Sequence, residues 1–185
     1  MRHLPALIVA AGMAVPALAS AHVVFTQTAA LPGSNTVYAL RIGHGCSGAA
    51  TTALRVEIPE GIAAKPQAKA GWTVTVERTP LKTPVKGEGG KMVMDRVSAI
   101  TWTGNLPDDQ FDDFGLMLKL PATTGPVYFP AHQTCVTGHA DWTDIPAASQ
   151  AWHDVAHPAP VLNLAPEDGG NASAMGGKDM SHMDH

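Results

Sequence analysis

ALRVEI, residues 53–58, followed at once by Pro59-Glu60-Gly61, is the stretch on which the fold reading turns. Leu54, Val56 and Ile58 alternate with Arg55 and Glu57. That is the period of a strand with one face in a core and the other in water. The Pro-Glu-Gly that follows is a turn signal. The same grammar recurs along the chain in TVYALRI (36–42), WTVTVER (72–78), VSAITWT (97–103), FGLMLKL (114–120), 127–129 and 161–164. Turn chemistry separates these runs at Pro32-Gly33-Ser34-Asn35, Lys86-Gly87-Glu88-Gly89-Gly90 and Leu106-Pro107-Asp108-Asp109. No segment holds a helical period beyond two turns. The pattern predicts an all-β chain, an antiparallel β-sandwich of the cupredoxin or immunoglobulin kind with about eight strands.

The two ends of the chain read differently from its middle. Arg2 and His3 precede an apolar run over 4–18, and Ala19-Ser20-Ala21 supplies the small-x-small pattern of an export signal. Residues 1–21 are therefore expected to be a signal peptide, too short for a membrane span. Cleavage after Ala21 would release into the periplasm a chain that starts at His22 and has no stable membrane insertion. Residues 22–165 form the expected single domain. Residues 166–185 form a tail, expected to be disordered, because 167–185 contain neither a branched aliphatic side chain nor an aromatic one. Five residues of that tail are potential metal donors: Met175, Met180, His182, Met183 and His185. The formal net charge of −4 offers no basic patch for nucleic acid.

The cysteines are Cys46 and Cys135. In an oxidising compartment a lone pair is most simply a disulfide. The rival is thiolate ligation of a metal, since His44 stands two residues before Cys46.

A free N-terminal His22 would carry two donors, its α-amine and its imidazole Nδ1. A planar pair of nitrogens suits Cu(II), which favours tetragonal nitrogen and oxygen surroundings. Strand-like Val23-Val24-Phe25 would hold that chelate still. Asp113, between Phe111 and Phe114, is either a third ligand or an ordinary edge-strand charge, with Asp112 as the fallback acid. Trp142 is either core or the bulk that shields a metal from solvent. The tail's thioethers suit Cu(I), and its imidazoles suit Cu(II).

In order along the chain, Ala21-His22-Val23, TTALRVEIPEG (51–61), Pro66 through Gly71-Trp72, 97–102, Phe111 with Phe114, and Trp142 resemble the YcnI-type domains of exported bacterial proteins found in copper-related operons. The stretches around His44-Gly45-Cys46 and FPAHQTC (129–135) resemble that family's proteobacterial branch. The resemblance implies Cu(II) held by the mature N-terminal histidine alone, a mono-histidine brace, with an acidic residue and a tryptophan completing the site. On this chain those are His22, Asp113 and Trp142. It implies a periplasmic copper-binding protein for sequestration, trafficking or homeostasis, not an enzyme. Its partners would be copper, periplasmic copper chaperones and membrane copper transporters. Two alternatives stand beside it. One is a copper oxidoreductase that adds His44, His132 or His139 as a second ligand. The other is a metal-free periplasmic interaction domain.

Overall fold

A computed structural model describes residues 22–166, and the signal segment and tail expected above lie outside the described residues. Twelve strands make up nearly all of its regular structure: β1 (Val24–Phe25), β2 (Ala29–Ala30), β3 (Asn35–Ile42), β4 (Thr51–Glu57), β5 (Ala63–Pro66), β6 (Thr73–Lys86), β7 (Met92–Leu106), β8 (Asp112–Lys119), β9 (Gly125–Tyr128), β10 (Ala131–Cys135), β11 (His139–Trp142) and β12 (Val161–Leu164). Single 3-10 turns occupy Glu88–Gly90 and Trp152–Asp154.

The strands form two main sheets. One runs β1-β3-β8-β5, the other β11-β10-β4-β7-β6, and a small third sheet, β2-β12-β9, closes one side. Pairing is antiparallel except between β2 and β12. The inner faces share one core, with Leu40, Phe114, Leu116 and Leu118 from the first sheet against Leu54, Val56, Ile100 and Trp102 from the second. These are the inward members of the alternating runs, and Arg55 and Glu57 lie on the outer face of β4, where Arg55 pairs with both Glu57 and Glu77. The chain is an antiparallel β-sandwich, as its periodicity predicts.

The strand count exceeds the expected eight because, besides the strand-like start at β1, four short strands have no alternation to betray them. β2 and β5 (AAKP) are two and four residues long, β10 (AHQTC) is mostly polar, and β11 (HADW) is half polar. The run expected at 72–78 continues to Lys86, across Pro80 and Pro84. Proline donates no ladder hydrogen bond, so it is tolerated only at an edge. β6 is the edge strand, and its register with β7 shifts between Pro80 and Val85.

Cys46 and Cys135 are joined, with their Cα atoms 5.9 Å apart, and no cysteine is free. Thiolate ligation is thereby excluded: both sulfurs are spent on each other. The bridge ties β10 to the loop that carries His44 and Gly45. That loop is closed by reciprocal hydrogen bonds between the Cys46 and Ala49 backbones, each 3.0 Å.

Candidate metal centre

His22 heads β1, which hangs on the edge of its sheet through Val24 opposite Arg41 and Phe25 opposite Leu40. Val23 and Phe25 are buried and fix the strand, leaving His22 half-buried at its start. Two indoles flank its ring. The Trp142 centroid lies 5.2 Å away at 63°, and the Trp152 centroid 5.3 Å away at 59°.

Each indole is held from behind. Trp142 ends β11 opposite Ala131 and is buried. Its Nε1–H donates to Gln133 Oε1 at 3.3 Å. Gln133, itself buried, donates in turn to Thr51 Oγ1 (2.7 Å) and to the His44 carbonyl (2.9 Å). Trp152 sits in the strap between β11 and β12 and donates its Nε1–H to the Ala159 carbonyl at 2.7 Å. Its indole also lines a groove with Val24, Phe25 and Val161. His157, on the same strap, places its imidazole 5.7 Å from Trp142.

Partial burial, and secondarily the nearby His157, hold the His22 imidazole below its ordinary pKa. Both effects disfavour the protonated ring. A metal needs the neutral ring, so the pocket favours the ligating form.

The other expected site residues fall elsewhere. Asp113 lies on β8, in the row Val24, Arg41, Asp113 across three strands. Neighbouring strands are about 4.8 Å apart, so roughly 10 Å separates Asp113 from the row's β1 member. Arg41 stands between and takes both carboxylate oxygens, Nε to Oδ1 at 2.7 Å and Nη2 to Oδ2 at 2.8 Å. That hydrogen bonding holds the Asp113 carboxyl below its usual range, against a smaller opposing effect of burial. Arg41 also lies over the exposed Phe111 ring. Asp112 pairs with Lys69. The structure thus brings Trp142, and not Asp113, against the His22 ring.

His132 and His139 share the outer face of their sheet. His132 contacts Asp141 (2.7 Å) and Glu57 (3.4 Å), and His139 lies 3.7 Å from Asp141. In the register of β10 with β11, His132 pairs with Asp141 while the next pair is the buried Ala131 and Trp142. These two histidines therefore face away from the Trp142 side. His44 Nδ1 lies 2.6 Å from the Gly45 carbonyl. Among the described residues no three or more His, Cys, Asp or Glu side chains are arranged to hold a metal. A brace does not require three, since one of its donors is a backbone amine. Met175, Met180, His182, Met183 and His185 lie outside the described residues.

Sequence reading misses Trp152 and His157. Both lie in a segment without periodicity, between β11 and β12. The available signal was chemical: an indole and two imidazoles, Trp152, His153 and His157, within six residues of an otherwise strandless loop.

Fold and site together define an immunoglobulin-like β-sandwich with a histidine at the head of its first strand, walled by two tryptophans. Residues 22–164 match the family described as "Domain of unknown function (DUF1775)", and the chain belongs to that family, the YcnI-like domains. An uncharacterized protein from Nocardia farcinica with an immunoglobulin-like fold is similar in structure, with TM-score 0.59 and 28% identity over 78% of this chain and 98% of that one. The seventh ScaB type I cohesin from Pseudobacteroides cellulosolvens aligns at TM-score 0.35 and 13% identity, over 89% of this chain and 97% of that one. Among curated proteins none matches this chain.

Proposed function

We propose that this is a periplasmic copper-binding protein, which takes Cu(II) as cargo at a mature N-terminal His22 for sequestration or delivery. The observation that carries the reading is the His22 ring between the Trp142 and Trp152 indoles. After cleavage at Ala21 the α-amine and Nδ1 would form one chelate ring. The indoles beside it limit water access and with it exchange and redox chemistry, which suits carriage more than turnover. Asp113 serves the sheet edge through Arg41 in this reading and is not needed as a donor. The tail's Met175, Met180, His182, Met183 and His185 add softer donors that would collect copper or pass it to a chaperone or a membrane transporter.

Two measurements test this. Intact mass of the exported protein should place its first residue at His22. Mature protein ending at residue 166 should bind one Cu(II), and the same protein with one extra N-terminal residue should bind far more weakly. Equal affinity of the two forms would sink the reading.

A copper oxidoreductase is the second reading, favoured by one observation, the second imidazole on Trp142. Oxygen-dependent turnover in the presence of a reductant would establish it. Tight Cu(II) binding without turnover returns the protein to carriage.

A further inference from the structure

We propose that His157 supplies a second imidazole to the Cu(II) bound at His22, so that the strap between β11 and β12 is part of the metal site. This rests on the copper-binding reading above and adds a ligand to it.

His22 and His157 are both ring neighbours of one indole, at 5.2 Å and 5.7 Å from Trp142. The backbone of His157 is pinned while its side chain is exposed. Its N–H donates to Asp144 Oδ2 at 2.9 Å, and its carbonyl accepts from the Asp144 N–H at 2.9 Å. Ala159 N–H closes the clamp on the Asp144 carbonyl at 2.9 Å, and Asp144 forms a parallel bridge with Pro158. An exposed imidazole on an anchored backbone can turn toward a metal without moving the fold. The same strap also brings Trp152 within 5.3 Å of the His22 ring, so one segment supplies both a wall and a donor.

The coordination chemistry asks for such a donor. A mono-histidine brace gives two nitrogens, and tetragonal Cu(II) takes more. Asp113 is engaged by Arg41, and His132 and His139 face outward on the far side of their sheet. His157 is the imidazole that shares Trp142 with His22.

The test uses full-length mature protein loaded with less than one equivalent of Cu(II), so that only the tightest site fills. Pulsed electron paramagnetic resonance counts the coordinated imidazoles through their remote nitrogens. Wild type should show two, and His157→Gln should show one, with affinity lower by about tenfold or more, the scale on which even outer-shell losses act at metal sites. One imidazole in wild type overturns the proposal without any variant. Two imidazoles persisting in His157→Gln also overturn it, since another histidine would then be the donor. In either case an N-terminal extension that still abolishes tight binding leaves the brace reading intact. If the extension changes nothing, both readings fall together.

Discussion

The His22 imidazole stands edge-on to the Trp142 indole, 5.2 Å between centroids, and the two residues come from opposite layers of the sandwich. β1 is the outermost strand of one sheet and β11 the outermost strand of the other. The contact therefore closes the open side of the fold, where neither strand has a further ladder partner within its own sheet. A ligand seated at His22 would sense how firmly the two edges are held together.

Gln133 is what fixes the tryptophan side of that contact. Its side chain satisfies Trp142 Nε1, Thr51 Oγ1 and the His44 carbonyl from a buried position. Gln133→Leu keeps the bulk but strands these groups, and each buried polar group left unpaired costs about 1–3 kcal/mol. Urea denaturation should show a loss of at least about 2 kcal/mol, and Cu(II) affinity should fall with it. A Leu variant as stable as wild type would show that the amide does not organise this corner.

The Cys46–Cys135 bridge closes a loop with a sequence separation of 89 and anchors the segment carrying His44. In the chain-entropy account such a loop is worth about 4–5 kcal/mol. Replacing both cysteines by alanine, or adding a reductant, should lower the denaturation midpoint by a corresponding amount without changing the strand signature in circular dichroism. A midpoint insensitive to reductant would contradict this role.

How much of this was readable beforehand depends on burial periodicity. Leu54, Val56 and Ile58 all turn inward, and β12 occupies 161–164 as read, because a half-buried strand writes its two faces into alternate residues. β10 and β11 have no such record. Their inward residues are Ala131, Gln133 and Trp142, and the polarity of Gln133 reflects the hydrogen bonds it makes inside. At the candidate site, His22 and Trp142 were legible as candidates, His22 because it follows the Ala19-Ser20-Ala21 pattern and Trp142 through the family resemblance. His157 and Trp152 were not, since a strap pinned by Asp144 leaves no periodic trace. Asp113 shows the limit of reading one strand alone. Its place between Phe111 and Phe114 carries no trace of Arg41, its partner 72 residues away.

That Arg41–Asp113 pair gives a pH prediction. Hydrogen bonding to Arg41 lowers the Asp113 carboxyl pKa in the folded state. A lowered carboxyl contributes stability above the unfolded value and loses it as pH falls through the folded value. Wild type should therefore be more stable than Asp113→Asn near neutrality, and the gap should close below about pH 4. With the two side chains 46% and 38% exposed, solvent screening keeps the gap small. Cu(II) affinity should not change in Asp113→Asn. A marked loss of affinity would restore the carboxylate as a donor.

Gly45 provides a steric test beside the site. It lies between His44 and Cys46 and donates its N–H to Asp108 Oδ1 at 2.9 Å. A Cβ there would fall 1.8 Å from the Ala49 carbonyl oxygen, and that oxygen is backbone, held by the Cys46 N–H. At Gly115 a Cβ would fall 2.1 Å from Gln67 Oε1, the far end of a flexible side chain that can swing aside, and 3.0 Å from Gln67 Cβ, which has to give only slightly. The two sites differ in what must move, not in how close the first contact is. Gly45→Ala should destabilise by about 3 kcal/mol or more, the upper range for overpacking, and Gly115→Ala by less than about 1 kcal/mol. Equal losses in thermal unfolding, or the reverse order, would mean that the 45–49 loop yields more easily than its reciprocal hydrogen bonds imply.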